Sequence, residues 1–154
     1  MFSKLRSLIF KIDPERAHTL AIKSLKLNLV SNIFDENKNE PIFKTKIFDK
    51  ELDNPIGMAA GFDKNAEVVN SLFGFGFGFI ETGTVTPKPQ YGNDKPRIFR
   101  LKEDSAIINH LGFNNKGSEY VEKKLKKLNL NSLSNRRGFH WFIGPLHIVN
   151  YPCF

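Results

Sequence analysis

Cysteine is all but absent. The single thiol, Cys153, stands next to the last residue, so no intrachain disulfide can form and a reducing compartment is expected. Tryptophan is equally scarce, and three tyrosines stand against fifteen phenylalanines, a composition suited to a Phe-filled core whose rings need no polar partner. Apolar residues never run on for long. Lys4, Arg6 and Lys11 break the N-terminal ones, which excludes both a signal-peptide core and the roughly 20 apolar residues of a membrane-spanning helix. Acidic side chains are outnumbered 16 to 23 by lysine and arginine, giving a formal charge of +7. Such a balance favours an anionic partner, whether a phosphorylated ligand, an acidic lipid surface or nucleic acid, without choosing among them. At 154 residues, 40% hydrophobic and 25% charged, the chain has the make-up of one ordinary globular domain rather than a disordered segment.

The chain is organised around Asn54-Pro55-Ile56-Gly57-Met58-Ala59-Ala60-Gly61-Phe62-Asp63-Lys64-Asn65. Ile56 to Ala60 read as a short strand buried on both faces, and Gly61 permits a tight turn or a close backbone approach. Asp63, Lys64 and Asn65 follow at once. The C-terminal end of a buried strand is where α/β enzymes carry chemistry, because the strand holds rigid a loop that faces solvent.

Upstream, Phe2, Leu5, Leu8, Ile9 and Ile12 recur at helical spacing. A second helix follows, with Asp13 as N-cap, Pro14 at its first position, Glu15 complementing the positive helix end, and Ala17, Leu20, Ala21 and Leu25 as its apolar face. This basic pair either lies on anionic lipid and admits a lipid-like ligand, or is simply two helices packed on a core, the commoner case for amphipathic helices. The polar run Asp35 to Glu40 marks a boundary. Phe43, Thr45 and Ile47 alternate with Lys44, Lys46 and Phe48 and predict a hairpin turning at Asp49-Lys50-Glu51.

Ala66, Val68, Val69 and Leu72 predict a helix closed by Gly74. The glycines at 74, 76 and 78 superficially suggest a dinucleotide fingerprint, but Glu81 stands where the third glycine of that motif belongs and no helix start follows. A strand from Phe77 to Thr82 is the better reading, and strand, helix and strand then make a βαβ unit with parallel strands and a right-handed crossover. The loop Gly83 to Asn93 leaves this strand on the same side as the Gly61 loop. Ile98 to Leu101 extend or rim the sheet. Asn109, Asn114 and Asn115 surround Gly112 and Phe113 in a dense hydrogen-bonding cluster, although Asn-rich loops are more often ordinary turns. Gly117 to Leu128 predict a basic amphipathic helix whose lysines form a solvated face; no nucleic acid is expected, because stacking aromatics are missing there.

Three strings, NPIGMAAGFDKN, GFGFIETGTVTPKPQYGNDKPRIFRL and IINHLGFNNKG, occur in an order and at spacings that resemble the class 2, quinone-dependent dihydroorotate dehydrogenases. The N-terminal KIDPERAH also resembles the start of the extension that only class 2 carries. The resemblance covers residues 1 to about 128. It implies an α/β fold, the N-terminal part of a TIM-type (β/α)8 barrel preceded by a small helical extension. The expected division is residues 1–34 as a membrane- and quinone-associated extension, 41–130 as the first βα units of an FMN-binding barrel, and 131–154 as a tail foreign to the family.

The activity so implied is FMN-dependent oxidation of dihydroorotate to orotate in pyrimidine biosynthesis. A quinone accepts the electrons, and peripheral membrane contact through the N-terminal helices places the protein on the cytoplasmic face of a membrane. By motif position, Ala60, Gly61, Phe62, Asp63, Lys64 and Thr84 meet FMN, and Lys64, Asn109, His110, Leu111, Gly112 and Phe113 meet the substrate. A lysine suits an orotate carboxylate, offering positive charge and three donors. Most relatives have Arg, then Met, Tyr or Cys, where this chain has His110 and Leu111. After about Leu128 the family's GINIGKNK strand is not found, and a shifted or prematurely ended reading frame is expected. The serine base of class 2 then falls outside this chain, which is expected to be inactive alone. No metal site is expected: His140 and His147 have no third ligand at a suitable spacing. The non-enzymatic alternative is a basic module that binds an anionic membrane surface or nucleic acid.

Overall fold

A computed structural model describes residues 9–27, 41–47, 50–128 and 141–143. Most of the expected first helix, the 35–40 connector, and His140, His147 and Cys153 lie outside the described residues. Helix α1 (Pro14–Lys26) begins as its sequence dictates: the Asp13 carboxylate accepts from Arg16 N at 2.9 Å, and Pro14 occupies the first turn, where an amide would have no partner. Of its expected inward face, Leu25 is buried and Ala17 and Ala21 half-buried, but Leu20 is not part of it. Ile22 and Leu25 are buried while Leu20 is 54% exposed, so the buried stripe also carries Glu15 and His18 toward the body.

Strands β1 (Thr45–Ile47) and β2 (Lys50–Leu52) pair antiparallel, Thr45 opposite Leu52, as a hairpin, but Lys50 and Glu51, expected in its turn, are paired strand residues opposite Ile47 and Lys46. Strand β3 (Gly57–Met58) is shorter than the Ile56–Ala60 expectation and pairs parallel with β4 (Phe79–Thr82), Gly57 opposite Phe79 and Met58 opposite Ile80. The glycines make this pairing close: a Cβ on Gly57 would overlap the Phe79 ring, and one on Gly78 would lie 2.0 Å from Asn54 O. Between the strands runs α2 (Val69–Phe73), which completes the βαβ unit. The chain passes through a hairpin, β5 (Ile98–Leu101) with β6 (Ala106–Asn109), and helix α3 (Ser118–Lys126), to β7 (Trp141–Ile143). The backbone of β7, within the segment expected to be foreign, runs parallel to β4 with Glu81 opposite Phe142, so β3, β4 and β7 form one parallel sheet. Hairpin β5–β6 stands apart from that sheet rather than extending it. Among the described residues the architecture is α/β with three small sheets and no closed barrel.

One apolar cluster joins α1, α2, β4 and α3: Ile22 and Leu25 meet Val69, Leu72 and Phe73, with Ile80 fully buried and Val121 closing the far side. Helix α2 starts at Val69 rather than Ala66, and Asp63 explains the delay. Its carboxylate, 2% exposed, accepts from Glu67 N and Val68 N at 2.8 Å each, winding residues 63–68 into a turn that holds Ala66 at φ 52°. A helix running through Ala66 could not make those contacts.

Glu67 ties three segments together. Its Oε1 receives Lys116 Nζ at 2.8 Å, Tyr120 Oη at 2.7 Å and, from the end of α1, Lys26 Nζ at 3.0 Å. Burial alone would raise its carboxyl pKa, but hydrogen bonds from Lys116, Tyr120 and Lys26 outweigh that and hold it at about 2. On α3, Lys123 and Lys126 pair with Glu119 and Glu122 one turn back, which fits the expected solvated face.

Two outcomes are expected. Asp63→Ala leaves the buried Val68 amide and the half-buried Glu67 amide without acceptors and should lower stability by about 2–3 kcal/mol in urea denaturation, with Asp63→Asn losing less because one acceptor remains. Because the folded pKa of Glu67 lies below its ordinary value near 4.5, its contribution is complete above that value and disappears as the pH falls toward about 2. Stability measured over that acid window should fall less steeply in Glu67→Gln, which starts lower at neutral pH.

Candidate functional site

The C-terminal ends of β3 and β4 are stitched together. Gly61 N donates to Gly83 O at 2.8 Å, and Gly83 N returns toward Asp63 O at 3.4 Å. Both glycines have positive φ, 105° and 114°, a region other residues enter at a cost. No atom lies within 4 Å of where a Gly61 Cβ would be, so the backbone there borders open space. That space is a cavity of about 560 Å³, lined by Ala60, Gly61 and Lys64 from the first loop and Gly83 and Thr84 from the second, with Asn109 to Asn114 forming the opposite wall. Its volume is in the range of small-ligand and cofactor sites.

The structure thus gathers Ala60, Gly61, Lys64, Thr84, Asn109, His110, Leu111, Gly112 and Phe113 around one cavity. Phe62 and Asp63 are not in its lining. The Phe62 ring turns toward α1 and meets His18 edge-on at 5.5 Å, while Phe62 O accepts from His18 Nε2 at 2.7 Å. Asp63 is spent on the amides of its own turn.

Lys64 Nζ donates to Gly61 O at 2.8 Å, which folds the side chain back along the loop. Burial lowers its pKa, the Glu15 carboxylate opposes that shift, and Arg97 adds to it. The cavity lining contains no carboxylate, so this ammonium is the charge best placed to receive an anionic ligand.

The opposite wall is a set of turns held from behind. Asn115, 7% exposed, takes Gly117 N on its Oδ1 at 2.8 Å and donates from Nδ2 to Phe113 O at 2.7 Å and to Thr86 Oγ1 at 2.9 Å. It also exchanges backbone bonds of 2.9 Å with Gln90, whose side chain donates to Gly112 O at 2.7 Å. The asparagine cluster therefore divides its work. Asn115 braces the loop, Asn109 Oδ1 accepts from Leu111 N at 3.4 Å, and Asn114 Oδ1 is buried without a hydrogen-bond partner beside the cavity. His110 is exposed and stacks on Phe99 at 5.8 Å.

Sequence reasoning assigned no role to Arg97 and gave Glu15 only that of a helix-end charge. In the structure they form a side-on ion pair behind the wall, Nη2 to Oε1 at 2.5 Å and Nε to Oε2 at 3.2 Å, and the Arg97 bond holds the Glu15 carboxyl pKa down. Only their separation of 82 residues hid the pairing; charged residues at the ends of two apolar segments were the available signal.

Chemically, the lining offers one ammonium, a threonine hydroxyl, amide groups from two asparagines and exposed glycine backbone. That set fits a planar ligand with a carbonyl- and nitrogen-bearing edge, the polar side of a flavin or a pyrimidine.

The family model "Dihydroorotate dehydrogenase" matches residues 42–139, more than half of the chain. The dihydroorotate dehydrogenase (quinone) of Rhodospirillum rubrum is 53% identical over 112 residues, 73% of this chain and 30% of the relative; that of Bartonella tribocorum is 55% identical over 123 residues, 79% and 33%. Among solved structures, the dihydroorotate dehydrogenase of Eimeria tenella superposes with a TM-score of 0.73 in its ferulenol complex and 0.75 ligand-free. Those two are 44% and 41% identical, and each alignment covers 86% of this chain but 35% and 36% of the other. The chain spans about a third of the length of these relatives. With a family model that spans both cavity loops and the wall facing them, and relatives more than half identical named as the quinone-linked enzyme, the chain belongs to the dihydroorotate dehydrogenase family, in its class 2 branch.

Proposed function

We propose that this chain forms the N-terminal part of a dihydroorotate-oxidising site, the opening βα units of a (β/α)8 barrel that holds FMN. The observation that carries the reading is the cavity, where Lys64 and the Gly61 and Gly83 backbone face Asn109 to Phe113 across about 560 Å³. Ala60, Gly61 and Thr84 hold the flavin's polar edge, and FMN when bound supplies a two-electron acceptor for the substrate. Lys64 pairs its ammonium with the substrate carboxylate, and an anion arriving there offsets the burial that disfavours its charge. Asn109 presents both an acceptor and donors to the pyrimidine edge, while Gly112 lets the ring approach the backbone closely.

Electrons leave to a quinone on the α1 side. Support comes from His18, which reaches from α1 to the carbonyl of Phe62 in the cavity loop, and from the exposed Ile9, Phe10, Ile12 and Leu20 nearby. The same apolar residues suit peripheral contact with the cytoplasmic face of a membrane. No helix among the described residues is long and apolar enough to cross one.

Purified chain titrated with FMN, and then with orotate, tests the site. Lys64→Ala should weaken orotate binding by about 10- to 100-fold, the worth of a charged hydrogen bond, and Lys64→Arg should recover only part of it. Unchanged orotate affinity in Lys64→Ala would overturn the assignment. The 154 residues alone should show no dihydroorotate-dependent quinone reduction, because the resemblance puts the base in a later segment; turnover above a flavin-free control would refute that part.

A further inference from the structure

Besides the bond from His18 to Phe62 O, helix α1 is anchored at both of its ends, and the two end anchors lead to different places. Its C-terminal end meets the core, through Lys26 on Glu67 and through Leu25 O, which accepts from Ser71 Oγ at 2.8 Å. Its N-terminal end meets the cavity wall by way of Arg97. The Arg97 side chain is only 7% exposed, and the nitrogen not engaged by Glu15 serves one turn: Nη1 donates to Tyr91 O at 2.6 Å and Asn93 O at 2.9 Å.

The turn is itself fastened to the wall. Asn93 N donates to Leu111 O at 3.1 Å and Asn93 Nδ2 to His110 O at 2.7 Å, while Arg97 O accepts from His110 N at 3.0 Å. Gly92, at the centre, has φ 77°, and a Cβ there would lie 2.0 Å from Leu111 O and 2.9 Å from Arg97 Nη1. The turn is therefore clamped between guanidinium and wall with no room to shift separately.

We infer that Arg97 is a positioning residue for the cavity: held by Glu15, it transmits the seating of α1 through the Tyr91–Asn93 turn to the His110–Leu111 wall. Arginine suits this task because its planar fork satisfies a carboxylate side-on while a third nitrogen bonds two carbonyls, which a lysine ammonium cannot reproduce. Glu15 is only 19% exposed in its side chain, so the pair is shielded from the screening that makes surface ion pairs weak. The second cation near Glu15, Lys95 at 3.5 Å, is 67% exposed and holds no part of the turn. Whichever ligand or surface seats or lifts α1 thereby alters the geometry of the substrate wall. That last consequence rests on the proposed function; the mechanical link does not.

Amide hydrogen exchange on the full chain tests the link without any ligand. Glu15→Gln should speed exchange at residues 91–93 and 109–114 by about tenfold or more, while β3, α2 and β4 exchange as before. Lys26→Gln, which frees the other end of the same helix, should leave 109–114 unchanged. Arg97→Lys, which retains the charge but not the fork, should resemble Glu15→Gln, and it decides the matter if Glu15→Gln does not fold.

Orotate titration of the same variants adds a second readout. Weaker orotate binding, by about tenfold, with FMN affinity retained is expected of misplaced wall groups. Exchange at 109–114 that stays at the wild-type rate in Glu15→Gln and Arg97→Lys, or that rises equally in Lys26→Gln, would overturn the inference. Variants that show the exchange pattern while the wild-type chain binds no orotate would retain the positioning role and remove the substrate reading.

Discussion

A carboxylate buried at the exit of a strand governs the rest. Asp63 takes the amides of Glu67 and Val68, and this lets the chain leave β3, turn within six residues and enter α2 without an unsatisfied donor in the interior. The same turn sets Lys64 on the cavity side and Ala66, Val68 and Val69 on the core side. It also places Glu67 where Lys26, Lys116 and Tyr120 can reach it. Without that carboxylate the turn would have to expose its amides to water, and the core and the cavity would lose the common element between them.

The second constraint is that the cavity has walls of different origin. The Gly61 and Gly83 loops belong to neighbouring parallel strands and are fixed by sheet geometry, each to the other. The wall opposite starts at Asn109, the last residue of β6, paired with Ile98, and from Leu111 to Asn114 it runs beyond that two-stranded ladder, which is separate from the parallel sheet. It is braced by side chains instead: Asn115 to Thr86, Gln90 to Gly112, and Asn93 to His110. A wall held by a few polar bonds responds to a displacement of its anchor more readily than one held by a strand ladder, which is why α1 acts chiefly on this wall through Glu15 and Arg97, although His18 also ties it to Phe62 O in the strand-held loop.

Much of the fold was legible in the residues. Asp13-Pro14 announced α1, the alternation around Thr45 announced the first hairpin, and the strand, helix and strand around Val69 announced a parallel pair. Local chemistry decided each of these, and local chemistry is what a sequence displays. The limits of β3 and the late start of α2 were not legible, because pairing with the Phe79 strand and the grip of Asp63 override the periodicity of Ala66 to Leu72. The buried face of α1 was legible at Ala17, Ala21 and Leu25 but not at Leu20, for a similar reason: Leu20 is apolar but points away from the body, while Glu15 and His18 point toward it, each with a specific partner.

For the site, the sequence by itself determined the glycines, the lysine after the strand and the asparagine-rich loop, along with the family whose motifs these residues spell. Tertiary structure alone decided which of them share a cavity. It brought Lys64 and Thr84 opposite Asn109 to Asn114, turned Phe62 and Asp63 away, and paired Glu15 with Arg97 across 82 residues. The reason is physical. A residue's conformational preference acts over a few neighbours, whereas the partner of a buried charge is chosen by whatever the folded core delivers within hydrogen-bonding distance.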